Sequence, residues 1–183
     1  MSTPDFIGIY DNALTKNQCD ELISFFHSSQ KKEGGFWKDG GFVVNYNIKK
    51  NIEINHSVLS KTPIASNIIF ECMAKYKKEY PSLDLICPWR LIDNYTFQML
   101  DGEDAGYKQW HTEHCPGKLS HRILAWMFYL NDAASGTEFM HFPTVDAKMG
   151  RCIIWPAAWT HLHRSIPNKS IKYIMSGWIS YEE

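Results

Sequence analysis

Six of the eight histidines in this 183-residue chain fall between positions 111 and 163, and one of them heads the tripeptide His111-Thr112-Glu113. On an extended strand, residues i and i+2 stand on one face about 6.6 Å apart at Cα, so an imidazole and a carboxylate at that spacing can reach a single ion. A third ligand from a distant strand would complete two histidines and one carboxylate. Such a set occupies one face of a metal and leaves its remaining positions open, as Fe(II) chemistry with O2 requires. His-x-Glu alone is a common tripeptide, so the case depends on what the rest of the chain supplies.

The segment "WTHLHRS" (159–165) offers the third ligand twice, as His161 and His163. If it is a strand, both imidazoles point to the same side, and the local pattern leaves the choice open. A turn on Pro167 and Asn168 follows. Then comes "IKYIMSGWIS" (171–180), on which Lys172, Ile174, Ser176 and Trp178 share one face. A lysine and a serine on an inward face are unusual, because a buried ammonium must be paired. An anionic ligand would supply the pair.

These residues need a scaffold, and after Pro88 the chain has the texture of one. Short runs rich in β-branched and aromatic residues ("RLIDNYTFQML", "GYKQWHTE", "RILAWMFYL", "TEFMHF", "RCIIWP", "IKYIMSGWISY") are broken by Gly, Asp and Pro. No helices lie between them to make βαβ units, so an antiparallel jelly roll is expected. Upstream, "LTKNQCDELISFFHSS" (14–29) reads as an amphipathic helix with Thr15 and Gln18 as a capping box, and 57–80 as a second helix ended by Pro81. Residues 31–56, with four glycines around Phe36, Trp37, Phe42 and Tyr46, read as a mobile hairpin or loop whose aromatics either cover a site or pack an edge. The expected organisation is one domain, 1–183. Residues 1–88 supply helical support and the loop, and 89–183 the β core.

Composition narrows the function classes. At 44% hydrophobic, 14% aromatic and a net charge of −1, the chain is an ordered globular protein, and nothing in its charge demands a nucleic acid. No basic-then-apolar leader and no apolar run of spanning length is visible, so a soluble, cytoplasmic protein without a membrane partner is expected. Five cysteines, odd in number and without a CxxC pair, read as free thiols.

Taken together, "HTE" (111–113), "FYLND" (128–132), "GTEF" (136–139) and "HRSIPNKSIKYIMSGW" (163–178) resemble the ordered motifs of the 2-oxoglutarate- and Fe(II)-dependent oxygenases, in the prolyl 4-hydroxylase-like branch. The resemblance covers about residues 90–181. It implies a double-stranded β-helix core and His111, Glu113 and His163 as metal ligands. His163 is chosen over His161 because Pro167 then falls at +4 and Lys172 at +9. His161 becomes a neighbour of the metal, a substrate-facing group or a merely polar side chain.

The resemblance further implies that Lys172 and Tyr129 bind the distal carboxylate of 2-oxoglutarate. Ser176 stands where the family often has Thr, and Trp178 forms an aromatic wall of the cofactor site. Arg122, Tyr107 and Trp37 are candidates on the substrate side. Arg122 and Tyr129 lie seven apart, on opposite faces of an ideal strand, so a bulge must intervene if both face the site. Glu113 stands where Asp is commoner, and Leu100 where many prolyl hydroxylases have a tyrosine beside the cofactor. The implied cofactors are Fe(II), 2-oxoglutarate and O2, with ascorbate as a reductant. The implied partner is a peptide or protein hydroxylated at a prolyl or other side chain, with a free amino acid, another small molecule or a nucleobase as alternatives. A cupin-like metal-dependent hydrolase or isomerase and a non-catalytic jelly-roll binding module are the rival classes. Oligomeric state is not legible.

Overall fold

The computed structural model describes residues 5–38, 41–56, 63–86, 88–167 and 169–182, with side chains at all of these except Trp37, Asn55, His56, Pro63 and Lys118. The first half contains β1 (Gly8–Tyr10), α1 (Lys16–Ser28), β2 (Lys32–Glu33), β3 (Phe36–Lys38), β4 (Gly41–Val43), β5 (Lys49–Lys50), β6 (Ile52–His56) and α2 (Pro63–Glu79). The second half contains β7 (Trp89–Leu100), β8 (Gly106–Tyr107), β9 (Arg122–Tyr129), β10 (Gly136–Phe139), β11 (Val145–Asp146), β12 (Cys152–Pro156), β13 (His163–Ser165) and β14 (Lys172–Tyr181). The main sheet has the order β1-β12-β9-β14-β7-β6-β2, and β11-β10-β13 forms a smaller one. Every pairing is antiparallel. This is the double-stranded β-helix expected from the second half of the chain.

Strand alternation assigns the two faces of the main sheet. Tyr95, Phe97, Trp126, Phe128, Ile154 and Met175 pack with Leu22 and Phe26 of α1 and Ile69, Cys72 and Tyr76 of α2. The alternate residues Leu100, Ala125, Met127, Tyr129, Ile153, Trp155 and Ile174 turn the other way and pack with Phe139 and Val145 of the small sheet. The helices therefore cover one face, and the other closes over an interior. At Gly177 a side chain would collide with Trp126, which fills the space between sheet and helices.

Helix α1 starts where the capping box was expected. Gln18 N–H donates to Thr15 Oγ1 and Thr15 N–H to Gln18 Oε1, at 3.3 and 2.9 Å. The second helix covers Pro63–Glu79, and the expected residues 57–62 lie outside those described.

Three local expectations need correction. Residues 31–56 are not merely a loop, because β6 and β2 extend the main sheet beyond β7. The "GYKQWHTE" run is a strand only at Gly106–Tyr107, and His111 joins it to the rest through an isolated bridge to His163. Trp159–His161 is a 3-10 turn rather than a strand, so the alternation of "WTHLHRS" begins only at His163.

Candidate active site

His111 and His163 are bound to each other through the backbone. The N–H of each donates to the carbonyl of the other, at 3.1 and 3.0 Å. Two residues on, the chain leaves the strand line because the Thr112 hydroxyl and His114 N–H both bond to the Ala157 carbonyl. That bend swings the Glu113 carboxylate in beside both rings. Its Oε1 lies 3.4 Å from His163 Nε2 and 3.8 Å from His111 Nε2. One ligand atom from each residue lies within 4.8 Å of the other two, the spread of a metal site.

The rings are oriented for that task. His111 Nδ1–H donates to the Gln109 carbonyl at 3.1 Å and His163 Nδ1–H to the His161 carbonyl at 2.9 Å, leaving both Nε2 lone pairs for an ion. Burial, with His163 beside it, holds His111 well below the ordinary imidazole value and keeps it neutral. Burial pushes the Glu113 carboxyl up, but the contact with His163 and the charge of Arg122 outweigh it and keep the group ionised. A neutral imidazole beside an ionised carboxylate is what a divalent cation needs.

Glu113 is held from behind. The Trp178 indole N–H donates to Oε2 at 2.8 Å, and Arg122 approaches the same oxygen at 3.4 Å while its guanidinium stacks 3.5 Å above the Trp178 ring. Trp178 thus contacts the carboxylate directly rather than serving only as a wall. Arg122 reaches the interior through a bulge. Opposite Ile179 and Ser180 of β14 stand Leu124 and Arg122 of β9, so Ile123 is extra and the alternation resets. Arg122 and Tyr129 consequently line the same cavity, of about 270 Å³.

At the far end of the cavity lies Lys172, 2% exposed. Its ammonium donates to Ser135 Oγ, Ser165 Oγ and the Gly136 carbonyl at 2.8, 3.0 and 3.2 Å. All three are neutral acceptors. Burial pushes the group down to about 8. A buried cation at a cavity end with only neutral neighbours is the complement of an anion. Tyr129 lies nearby with its hydroxyl 2.7 Å from Thr137 Oγ1, and burial raises its pKa, so it stays a neutral phenol. Gly106 (φ +126) makes room here, since a Cβ would fall 2.6 Å from the Ser165 side chain.

The remaining sequence candidates are placed as follows. Tyr107 lies flat on His111 at 3.7 Å between ring centroids, and burial pushes its phenol up to about 12. Ser176 accepts from Gln98 Nε2 at 3.4 Å on the cavity wall. The His161 ring is stacked on Phe142 with its Nε2 2.8 Å from the Asp5 carbonyl, and the residue is not among those lining the cavity. It touches the site only through its carbonyl, because the 3-10 turn rotates it away from His163. The side chain of Trp37 lies outside the described residues, while Phe36 and Phe42 of the same hairpin line the cavity. Unforeseen in sequence were Ser135 and Ser165 around Lys172 and the polar group Lys49, Asn51, Glu53 and Gln98.

Fold and site together define a jelly-roll protein whose two-histidine, one-carboxylate set shares a cavity with Lys172, a buried cation whose hydrogen-bond partners among the described residues are all neutral. The sequence description of the 2OG-Fe(II) oxygenase superfamily matches residues 95–180. The matched residues, just under half of the chain, take in His111, Glu113 and His163 and mark a 2OG-Fe(II) oxygenase domain, which uses Fe(II), 2-oxoglutarate and O2. Among curated protein sequences none matches.

Solved structures show the same fold at low identity. A prolyl hydroxylase from Trichoplax adhaerens, in complex with a hypoxia-inducible-factor peptide fragment, aligns with a TM-score of 0.72 at 13% identity over 96% of this chain and 84% of that one. A Pseudomonas putida prolyl-4-hydroxylase aligns at 0.70 and 11%, covering 98% and 94%. A viral collagen prolyl hydroxylase from Paramecium Bursaria Chlorella virus-1, in complex with 2-oxoglutarate, aligns at 0.60 and 16%, covering 97% of both chains.

Proposed function

We propose that the protein hydroxylates a prolyl or other peptidyl side chain, with His111, Glu113 and His163 as iron ligands and Lys172 as the partner of the distal carboxylate of 2-oxoglutarate. The observation that carries the co-substrate assignment is the ammonium of Lys172, buried with three neutral acceptors and facing the cavity that holds the metal set. Bound Fe(II), with 2-oxoglutarate and O2, supplies the oxidising power for an unactivated C–H bond. The protein's residues bind and orient. The backbone carbonyls of Gln109 and His161 fix the two imidazoles, and Trp178 and Arg122 fix the carboxylate. Tyr129 and Ser165 line the co-substrate end, and Tyr107 packs over His111.

A hydrolase using the same three ligands would leave Lys172 without a charge partner, which weighs against it. The likeness to prolyl hydroxylases supports a peptide substrate over a free amino acid or nucleobase. A reducing, cytoplasmic setting is proposed as well, supported by the free thiols Cys19, Cys72, Cys115 and Cys152. To test the substrate, the protein is incubated with Fe(II), 2-oxoglutarate, ascorbate and a proline-containing peptide library. Gain of one oxygen on a peptide, coupled to succinate, is expected. Oxygen gained by free amino acids or nucleosides and by no peptide would refute the peptidyl reading.

A further inference from the structure

The cavity has a second polar wall that the metal and co-substrate do not use. It is built from Lys49 of β5, Glu53 of β6 and Gln98 of β7, with Ser176 of β14 beside them and Phe36 and Phe42 also lining the space. The wall adjoins the metal set, since Lys49 is in register with Tyr107, whose ring lies on His111. Glu53 and Gln98 are themselves cross-strand partners.

The hydrogen bonds within this wall are lopsided. Lys49 Nζ donates to Glu53 Oε2 at 2.8 Å and to the Gly35 carbonyl at 2.9 Å, using two of its three donors. Asn51 Nδ2 donates to Glu53 Oε2 at 3.1 Å and to Gln98 Oε1 at 3.0 Å. Both bonds to Glu53 therefore fall on Oε2, and among the described residues none falls on Oε1. Because Asn51 occupies Gln98 Oε1, the amide of Gln98 turns its Nε2 toward Ser176 Oγ, a long 3.4 Å contact that uses one of two N–H groups. Among the described residues, the wall thus offers the cavity one free acceptor and at least two free donors. Its charges are already matched, since Glu53 and Lys49 are both buried and paired with each other.

A locally neutral surface with adjacent donor and acceptor is complementary to a neutral group that has both, which is an amide. An ion or a zwitterion would have to shed its hydration against charges already satisfied. We propose that Lys49, Glu53 and Gln98 form the substrate-reading wall, and that they read one peptide bond adjoining the residue to be hydroxylated. Its carbonyl accepts from Gln98 Nε2, and its N–H donates to Glu53 Oε1. This rests on the peptidyl reading above and adds to it the residues that distinguish a peptide from a free amino acid.

The test is anaerobic calorimetry on the protein loaded with Fe(II) and 2-oxoglutarate, titrated with N-acetyl-L-proline N-methylamide and, separately, with L-proline. The capped compound should bind, with L-proline at least about tenfold weaker. Gln98→Leu should weaken the capped compound by about tenfold, the order of one hydrogen bond in a buried site, while 2-oxoglutarate affinity stays unchanged. Gln98→Leu is preferred to Glu53→Ala, which would strand the Lys49 ammonium in the interior. L-proline binding as tightly as the capped compound, or alone, would overturn the peptidyl reading together with the inference, and failure of both compounds to bind would overturn the inference. Binding of the capped compound undiminished in Gln98→Leu would overturn the inference alone.

Discussion

The indole N–H of Trp178 donates to Oε2 of Glu113 at 2.8 Å, and the other carboxylate oxygen is thereby turned toward His163 and His111. A glutamate has one more rotatable bond than an aspartate, and this contact, with Arg122 behind it, removes the freedom that the extra methylene introduces. Trp178→Phe keeps the ring under Arg122 but deletes the donor. Metal affinity should fall roughly 10-fold or more, as for other groups that orient metal ligands. Anaerobic Fe(II) titration measures it, and an unchanged affinity would show the contact to be incidental.

The buried ammonium of Lys172 gives a pH dependence of definite sign. Burial lowers it to about 8, so in the free protein it loses its proton as pH rises through that value, whereas the dianionic co-substrate needs it charged. The dissociation constant of 2-oxoglutarate should rise above pH 8, with proton uptake on binding, as read by calorimetry in buffers of different ionisation enthalpy. Lys172→Met should weaken 2-oxoglutarate by roughly 30-fold or more, the order expected when one member of a buried charge pair is lost. A pH-independent affinity, or a normal one in Lys172→Met, would contradict the assignment.

His161 and His163 should separate cleanly. His163→Ala should abolish Fe(II) binding. His161→Ala should retain the metal but lose roughly 1–3 kcal/mol of stability, since the ring is buried against Phe142 and bonded to the Asp5 carbonyl. Metal content and thermal unfolding of the two variants decide it. Loss of metal in His161→Ala at an unchanged melting temperature would reverse the two roles.

Gly106→Ala tests the packing around the co-substrate end. The new methyl group would stand at a strained φ and 2.6 Å from Ser165, which helps hold Lys172. A loss of roughly 1–3 kcal/mol in chemical denaturation is expected, together with weaker 2-oxoglutarate binding. Wild-type values for both would mean that the loop simply moves aside.

Much of this site was legible in sequence because it sits on strands of regular alternation. Lys172, Ile174, Ser176 and Trp178 do line one cavity, and the need for a bulge between Arg122 and Tyr129 followed from strand parity alone. The choice of His163 came from motif spacing, because parity could not separate it from His161. Only the 3-10 turn at Trp159–His161 does so physically. The wall of Lys49, Glu53 and Gln98 stayed hidden for a different reason. The segment Ile52–His56 has the alternation of a strand, with Ile54 toward the helices and Glu53 toward the cavity, but an inward glutamate beside lysines looks like a solvated loop until its partners are known. Ser135 and Ser165 approach Lys172 from 37 and 7 residues away and carry no sequence signal of their own.

The central claim is most directly tested by succinate formation from 2-oxoglutarate when air is admitted to the anaerobically purified, Fe(II)-loaded protein, comparing wild type with Glu113→Ala and Lys172→Met. The wild type should form succinate even without substrate, and both variants should fall to the protein-free background. A wild type that binds iron but leaves 2-oxoglutarate intact, or a Glu113→Ala variant as active as wild type, would contradict it.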